Sequence, residues 1–405
     1  MHLLIAGDFC DRYRISDLIA RGNYASLFDD IKYLTEQADV SIINFEFPIV
    51  LHAGVPITKS GPTLQGQPAA VDAVKYAGFN VCTLANNHIL DQGTKCCIET
   101  RELLENAGIK TVGIGKNSAE AATVLYINQK EKGTLAIVNC CEHEFSIATA
   151  TTAGANPLNP IQQYYNIQEA RTKADYVLVI VHGGHEHYAL PSPRMKETYR
   201  FFIDAGADAI INHHQHCYSG YEIYHGKPIF YGLGNLLFDH KSERHGPWNE
   251  GFMVSLRLDK QTLPQFELYP YTQCNERPSV IPMNEAERKI FAERIDKLNQ
   301  IISNEDQLNT TFETWAQKTS RNFLVPFQPY CTRTAKRLFV HGLLPSFITR
   351  KKRYQILNYL NCEAHLDKLR TVVSKLKYNY FLCIIKILYH LKKPVSNIFT
   401  PFIRK

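Results

Sequence analysis

Short apolar runs recur through the first two thirds of the chain, and each ends in a polar or glycine-bearing stop. They cover residues 3–6, 40–45, 81–85, 135–139, 177–181, 209–212 and 229–233. Runs of this length predict buried strands. Between them, residues 68–77, 95–107 and 194–205 carry apolar side chains at helical spacing, for example Ile98, Leu103, Leu104 and Ala107. Gly78, Gly108 and Gly206 follow these segments where a left-handed helix stop is expected. Buried strands alternating with helices predict an α/β domain whose helices cover a sheet.

The polar residues fall at the ends of these runs. Gly7-Asp8, Glu46, Asn86-Asn87-His88, His182, His214-Gln215-His216 and Gly234-Asn235 each come at or just past an apolar stretch. In open α/β sheets, ligands bind beyond the carboxyl ends of strands, so these segments are expected to deliver their side chains to one edge. Six of the 16 histidines lie between residues 182 and 216, where even spacing would put roughly one or two. His214 and His216, two apart at a strand end, can reach one small volume, and imidazole suits Zn, Mn or Fe. The pattern predicts a metal site.

Beyond about Pro278 the alternation ends. Residues 284–304 form a charged helical pattern with Ile290, Phe291, Ile295, Leu298, Ile301 and Ile302 on one stripe, and further helices are expected over 361–377 and 378–391. The expected division is an α/β domain over 1–275, a helical linker over 276–320 and a basic helical region over 321–405. The net charge of +6 conceals an asymmetry: from Arg321 onward there are 17 Lys+Arg against 2 Asp+Glu, and before it 28 against 37. The 11 scattered cysteines include no C-x-x-C. With no signal-peptide pattern and no apolar run long enough to span a bilayer, reduced thiols in the cytoplasm are expected. The basic region reads as a solvated accessory or as a peripheral contact with anionic membrane, through an apolar face over 378–391 flanked by Lys375, Lys377, Lys392 and Lys393. Nucleic-acid binding is disfavoured because no recognition motif accompanies the charge.

Taken together, Gly7-Asp8, Asn44-Phe45-Glu46, Asn86-Asn87-His88-x-x-Asp91-x-Gly93, His182-Gly183-Gly184-x-Glu186-x-Tyr188, His213-His214-x-His216 and Tyr231-Gly232-Leu233-Gly234-Asn235 resemble the bacterial capsule-synthesis (CapA, poly-γ-glutamate biosynthesis) family over residues 2–240. That family in turn looks like a branch of the calcineurin-like metallophosphoesterases. The resemblance implies an αββα sandwich holding two divalent ions, Mn, Zn or Fe, with Asp8, Glu46, Asn87, His182, His214 and His216 as ligands. Glu46 takes the bridging position and His88 that of the general acid. Glu186 belongs to the capsule-family variant and is expected to take part in catalysis; His213, in the place of a motif glycine, and Asn235 are expected to contact substrate. Cys10 stands where the superfamily's Asp-x-His has its histidine.

The chemistry suits these residue types. Two divalent ions can activate water and stabilise both oxygens of a displacement, a bridging position wants a carboxylate, and a neighbouring histidine can protonate a leaving group. Asp91 is expected to cap the helix after Gly93, Cys10 to be a small buried hydrophobe, and His185 and His187 to be solvated. The leading expectation is a metal-dependent hydrolase or transferase acting on an anionic or phosphorylated envelope polymer, at the inner face of the membrane or with a synthase complex. Its rivals are a non-catalytic assembly factor with a degenerate site, and a nucleotide or nucleic-acid phosphodiesterase. Specificity lies in loops such as 48–67 and 238–250, which carry no readable motif.

Overall fold

The computed structural model describes residues 1–375; the helix expected over 378–391 lies outside the described residues. The strands are β1 (His2–Cys10), β2 (Val40–Phe45), β3 (Val81–Thr83), β4 (Lys110–Val112), β5 (Ile114–Gly115), β6 (Leu125–Gln129), β7 (Gly133–Cys141) and β8 (Gly154–Ala155). They continue with β9 (Tyr176–His182), β10 (Ala209–His213), β11 (Tyr221–Tyr224), β12 (Lys227–Phe230), β13 (Asn235–Phe238), β14 (Glu250–Arg257), β15 (Gln265–Gln273) and β16 (Val280–Pro282). One sheet has the order β16-β15-β14-β1-β2-β3-β4, with β13 also paired to β1; the second runs β11-β12-β10-β9-β7-β6.

The pleat of β1 divides its side chains between two layers, as the period of two requires. Leu3 and Ile5 point into a core shared with Leu135, Ile137, Leu178, Ile180 and Ile211 of the second sheet. Leu4 and Ala6 point the other way, among Ile15, Phe28, Ile31, Val74 and Leu104. Those residues belong to helices α1 (Arg14–Ala20), α2 (Ala25–Glu36), α3 (Ala69–Tyr76) and α4 (Gly93–Asn106). After a short α5 (Ser118–Ala121), α6 (Pro160–Lys173) and α7 (Pro193–Asp204) pack on the second sheet. The expected αββα sandwich is the observed architecture. Gly78, Gly108 and Gly206 take positive φ after α3, α4 and α7, as expected.

Helix α8 (Glu285–Ser303) opens with a capping box between Asn284 and Glu287. Phe291 and Ile295 of its stripe enter the inter-sheet core. Residues 1–314 form one compact unit, so α8 is part of the α/β body and not of a linker; a second unit begins at Trp315. Helix α9 (Glu305–Leu324) reaches into that second unit, which continues with α10 (Arg333–Val340), α11 (Arg350–Asn361) and α12 (Glu363–Ser374). The helix expected over 361–377 corresponds to α12. Cys362, with extended backbone, separates it from α11.

Register places the polar strand ends together. Within the first sheet Asp8 is level with Asn44 on β2 and with Asn235 on β13. Within the second, His213 on β10 is level with His182 on β9.

Candidate metal centre

Asp8 depends on the glycine before it. A Cβ on Gly7 would lie 1.9 Å from the carbonyl oxygen of Gly234, and the Asp8 N–H donates to that same carbonyl at 3.2 Å. Only glycine lets β1 and the 232–235 turn approach this closely. Asp8 Oδ1 accepts from Asn44 Nδ2 at 2.7 Å, and Oδ2 accepts from the His214 N–H at 3.2 Å. One side chain on β1 thus meets the ends of both sheets.

Glu46 follows β2 and has no exposed surface. Neither of its carboxylate oxygens has a hydrogen-bond partner. A buried carboxylate without donors carries a large desolvation penalty, which a cation would offset. Its neighbours are those such a cation needs. Glu46, His182 and His214 present ligand atoms within 4.8 Å of one another, and so do Asp8, Glu46 and His216. The donor set of carboxylates and imidazoles therefore fits a divalent cation, and Glu46 is common to both groups.

The turn after β3 brings Asn87 and His88. Asn86 replaces the motif glycine and holds the turn: its Nδ2 donates to the Phe45 carbonyl at 2.9 Å, and its Oδ1 accepts the His88 N–H at 3.1 Å. Asn87 directs Oδ1 to within 3.1 Å of His182 Nε2, while its Nδ2 donates to Glu144 at 2.8 Å. His182 Nδ1 faces Asn44 Nδ2 at 3.2 Å, and its Nε2 lies 3.1 Å from His214 Nδ1. His214 and His216 both take positive φ, 93° and 55°. Such backbone is costly for non-glycine residues and clusters at functional sites.

His88 lies beside this cluster. Its Nδ1 meets Asp91 Oδ2 at 2.6 Å, which leaves Nε2 for the cavity that His88 lines. Asp91, expected as a helix cap, does not cap: the helix start at Gln92 has no side-chain cap bond. Instead Asp91 also accepts from Lys59 Nζ at 2.7 Å and from the Leu64 N–H at 2.6 Å.

Asn235 and His213, expected against substrate, are both buried. Asn235 Oδ1 meets His216 Nδ1 at 2.9 Å, and its amide nitrogen donates to the Trp248 carbonyl at 3.1 Å. Its polar groups are spent on orienting the His216 ring. His213 Nδ1 lies 3.3 Å from Asp8 Oδ1, close enough for charge attraction but without hydrogen-bond alignment. Glu186 is exposed and stands at the wall of the cavity, outside both ligand groups. Cys10 is fully buried on β1, as expected of a small hydrophobe. His187 is exposed, whereas His185 is half-buried against the Phe312 ring.

Burial and mutual charge set the electrostatics. Burial, then the charges of Asp8 and Glu186, push the Glu46 carboxyl well above its usual range. Burial acts on Asp8 in the same sense, but the His213 contact and the neighbouring imidazoles outweigh it and hold the group below the ordinary range. Burial keeps His182 far below an ordinary histidine and lowers His216 to about 4. Burial thus favours the neutral form of His182 and His216, the form that binds metal. Burial also lowers His88, against the pull of Asp91.

Lys59, Asn44 and Glu144 also sit in contact with these groups, and the strand-end pattern marks none of them as a ligand. Asn44 stands within the Asn44-Phe45-Glu46 motif, so a signal existed. Lys59 and Glu144 lie on loops without one. Above the cluster opens a cavity of about 810 Å³ whose walls include Arg12, Lys59, His88, Glu186, His216 and Trp248. The Trp248 ring stands 4.8 Å from that of His216.

The profile of the bacterial capsule synthesis protein family, PGA_cap, matches residues 2–240. The chain belongs to this family. The matched span includes every residue of the two carboxylate–histidine groups. Among the family's relatives of this chain, the capsule biosynthesis protein CapA of Bacillus anthracis is 31% identical over 245 residues, covering 58% of this chain. The chain spans 59% of the length of that relative. The PGA biosynthesis protein CapA of Bacillus subtilis (strain 168) is 28% identical over 275 residues, 67% of this chain and 71% of its own. A Mycobacterium tuberculosis protein named "Probable polyglutamine synthesis accessory protein" is 28% identical over 232 residues, 54% of this chain and 60% of its own.

Proposed function

We propose that this member of the capsule-synthesis family is a metal-dependent hydrolase or transferase acting on an anionic polymer of the capsule or cell envelope. The observation that carries this reading is Glu46, a fully buried carboxylate with no hydrogen-bond donor, shared by two groups of potential metal ligands. In this reading Asp8, Glu46, Asn87, His182, His214 and His216 hold two divalent ions, Mn, Zn or Fe. Bound ions supply Lewis acidity and lower the pKa of water. The chain's own residues do the rest. His88 delivers a proton from Nε2 to the leaving group while Asp91 fixes its ring through Nδ1. Asn44, Asn235 and Glu144 hold the ligand side chains in orientation, and Glu186, at the cavity wall, exchanges protons with solvent. The basic region from Arg321 serves as an attachment to an anionic membrane surface.

A second reading has one observation in its favour. Cys10 stands where the resemblance places a ligand histidine, and it lies in the apolar core, outside both groups of potential ligands. A non-catalytic assembly factor with a partly degenerate site would look like this. Turnover decides between the two. The full chain, loaded with Mn or Zn, is assayed on a panel of phosphoester and γ-glutamyl substrates beside Glu46→Gln. The enzyme reading expects activity on at least one class that the substitution removes; metal-loaded protein inert across the panel favours the assembly factor.

A further inference from the structure

Arg12 lines the same cavity as His88 and His216, and the turn that carries it is clamped on both sides. Before it, Asp11 is buried and accepts the Gln67 N–H at 2.8 Å. After it, Arg14 forks onto Asp239 through Nε at 2.9 Å and Nη2 at 2.7 Å, and Nη2 also reaches the Cys274 carbonyl at 2.7 Å. Between the clamps Tyr13 takes a left-handed φ of 53°, strained for so bulky a residue. That conformation sets the Tyr13 ring 4.5 Å from the Arg12 guanidinium and lets the Tyr13 hydroxyl accept from Nη2 at 2.6 Å.

Among the described residues no carboxylate pairs with Arg12. The other cation on the cavity wall, Lys59, is committed to Asp91. Glu144, Glu186 and Glu243 put negative charge elsewhere on the wall, so an anionic group is drawn to the Arg12 side. A planar guanidinium held by an aromatic ring, with most of its donors unused, is suited to a bidentate grip on a carboxylate or phosphate.

We propose that Arg12 is the specificity-determining residue of this cavity, taking one oxyanion of the bound polymer, a carboxylate or a phosphate, in a two-point grip beside the metal centre. The proposal deepens the functional reading above and rests on it for what happens to the ligand afterwards; the recognition itself needs no ion.

Calorimetric titration of the full chain tests it, with a γ-linked glutamate pentamer, its methyl ester and glycerol phosphate as probes. Each is run on protein as purified and after chelator treatment. Wild type is expected to bind the free pentamer or glycerol phosphate but not the ester. Arg12→Gln weakens that binding by about tenfold, and Arg12→Lys, which keeps the charge but loses the fork, restores it only in part. Metal content stays unchanged, because Arg12 touches no ligand group. The probe that loses more on substitution identifies the source of the oxyanion. Binding of equal strength in wild type and Arg12→Gln, or no binding of either acid by wild type, overturns the proposal. Arg12-dependent binding by the chelated protein, with no turnover of any probe by the metal-loaded protein, upholds it and fails the hydrolase reading instead. Should Arg12→Gln not fold, Arg12→Lys gives the same comparison.

Discussion

A carboxylate with no exposed surface and no donor within reach is stable in a folded protein only if it is protonated or meets a cation, and Glu46 is such a group. Replacing it by the isosteric glutamine removes the buried charge and one oxygen of the carboxylate shared by both potential ligand groups. Glu46→Gln should therefore lose the thermal stabilisation that added Mn or Zn gives, while the chelated protein is as stable as chelated wild type or more so. Melting curves with and without chelator measure both; an undiminished metal-induced shift would count against Glu46 as a shared ligand. The pH dependence has a definite sign. His216 falls from an ordinary 6.5 to about 4 in the fold, so the unfolded chain takes up that proton first, and its contribution to stability is lost as pH falls from about 6.5 through 4. Glu46, raised, works in the opposite sense in the absence of ions: the fold loses stability as pH rises through its raised value. Ions reverse this by displacing the proton, so metal should raise the melting temperature more at pH 7.5 than at pH 5.5. Equal shifts at the two pH values would contradict it. His88→Ala should leave metal content nearly intact and cut turnover by roughly 10²–10⁴-fold; loss of metal would instead make His88 a ligand.

At the scale of elements, the site is held by the contact between β1 and the turn before β13. Gly7→Ala would thrust a methyl group at the Gly234 carbonyl, and forced overpacking of this kind typically costs about 1–3 kcal/mol. Denaturant unfolding should show a lowered midpoint for this variant, with weakened metal binding because Asp8 is the next residue. A midpoint equal to wild type would mean that the two segments are less tightly joined than described. Elements differ in how far the sequence reveals them. The apolar cores of β1, β2, β7, β9 and β10 are buried on both faces and read as continuous runs. β14 and β15 owe their place to antiparallel pairing with β1 and with each other, and β4 is three residues at a sheet end; none has a run long enough to stand out. Likewise the ligand candidates announced themselves by falling at strand ends. Lys59 did not, because its meeting with Asp91 joins a loop without a motif to a turn 32 residues away. Asp91 looked like a helix cap because a carboxylate before a helix usually is one; here Lys59, His88 and Leu64 claim it first.

On the scale of the whole molecule, two units of opposite charge share the chain, and each has its own expected behaviour. Among the described residues no helix is long and apolar enough to cross a membrane. The second unit exposes Leu343, Phe347 and Tyr354 near the basic Arg350-Lys351-Lys352-Arg353 cluster. Basic residues near an anionic leaflet contribute about 1 kcal/mol each, and salt screens them. Truncation after Thr314 should abolish salt-sensitive sedimentation with phosphatidylserine vesicles while sparing metal binding; undiminished sedimentation would remove the attachment role. The chemistry proposed for the cavity depends on the ions themselves. The most direct measurement is elemental analysis of the purified full chain after reconstitution and desalting, beside Glu46→Gln. Two divalent ions per wild-type chain and a loss on substitution are expected. A wild-type chain that retains no ion, or one whose ion content Glu46→Gln leaves unchanged, would contradict this.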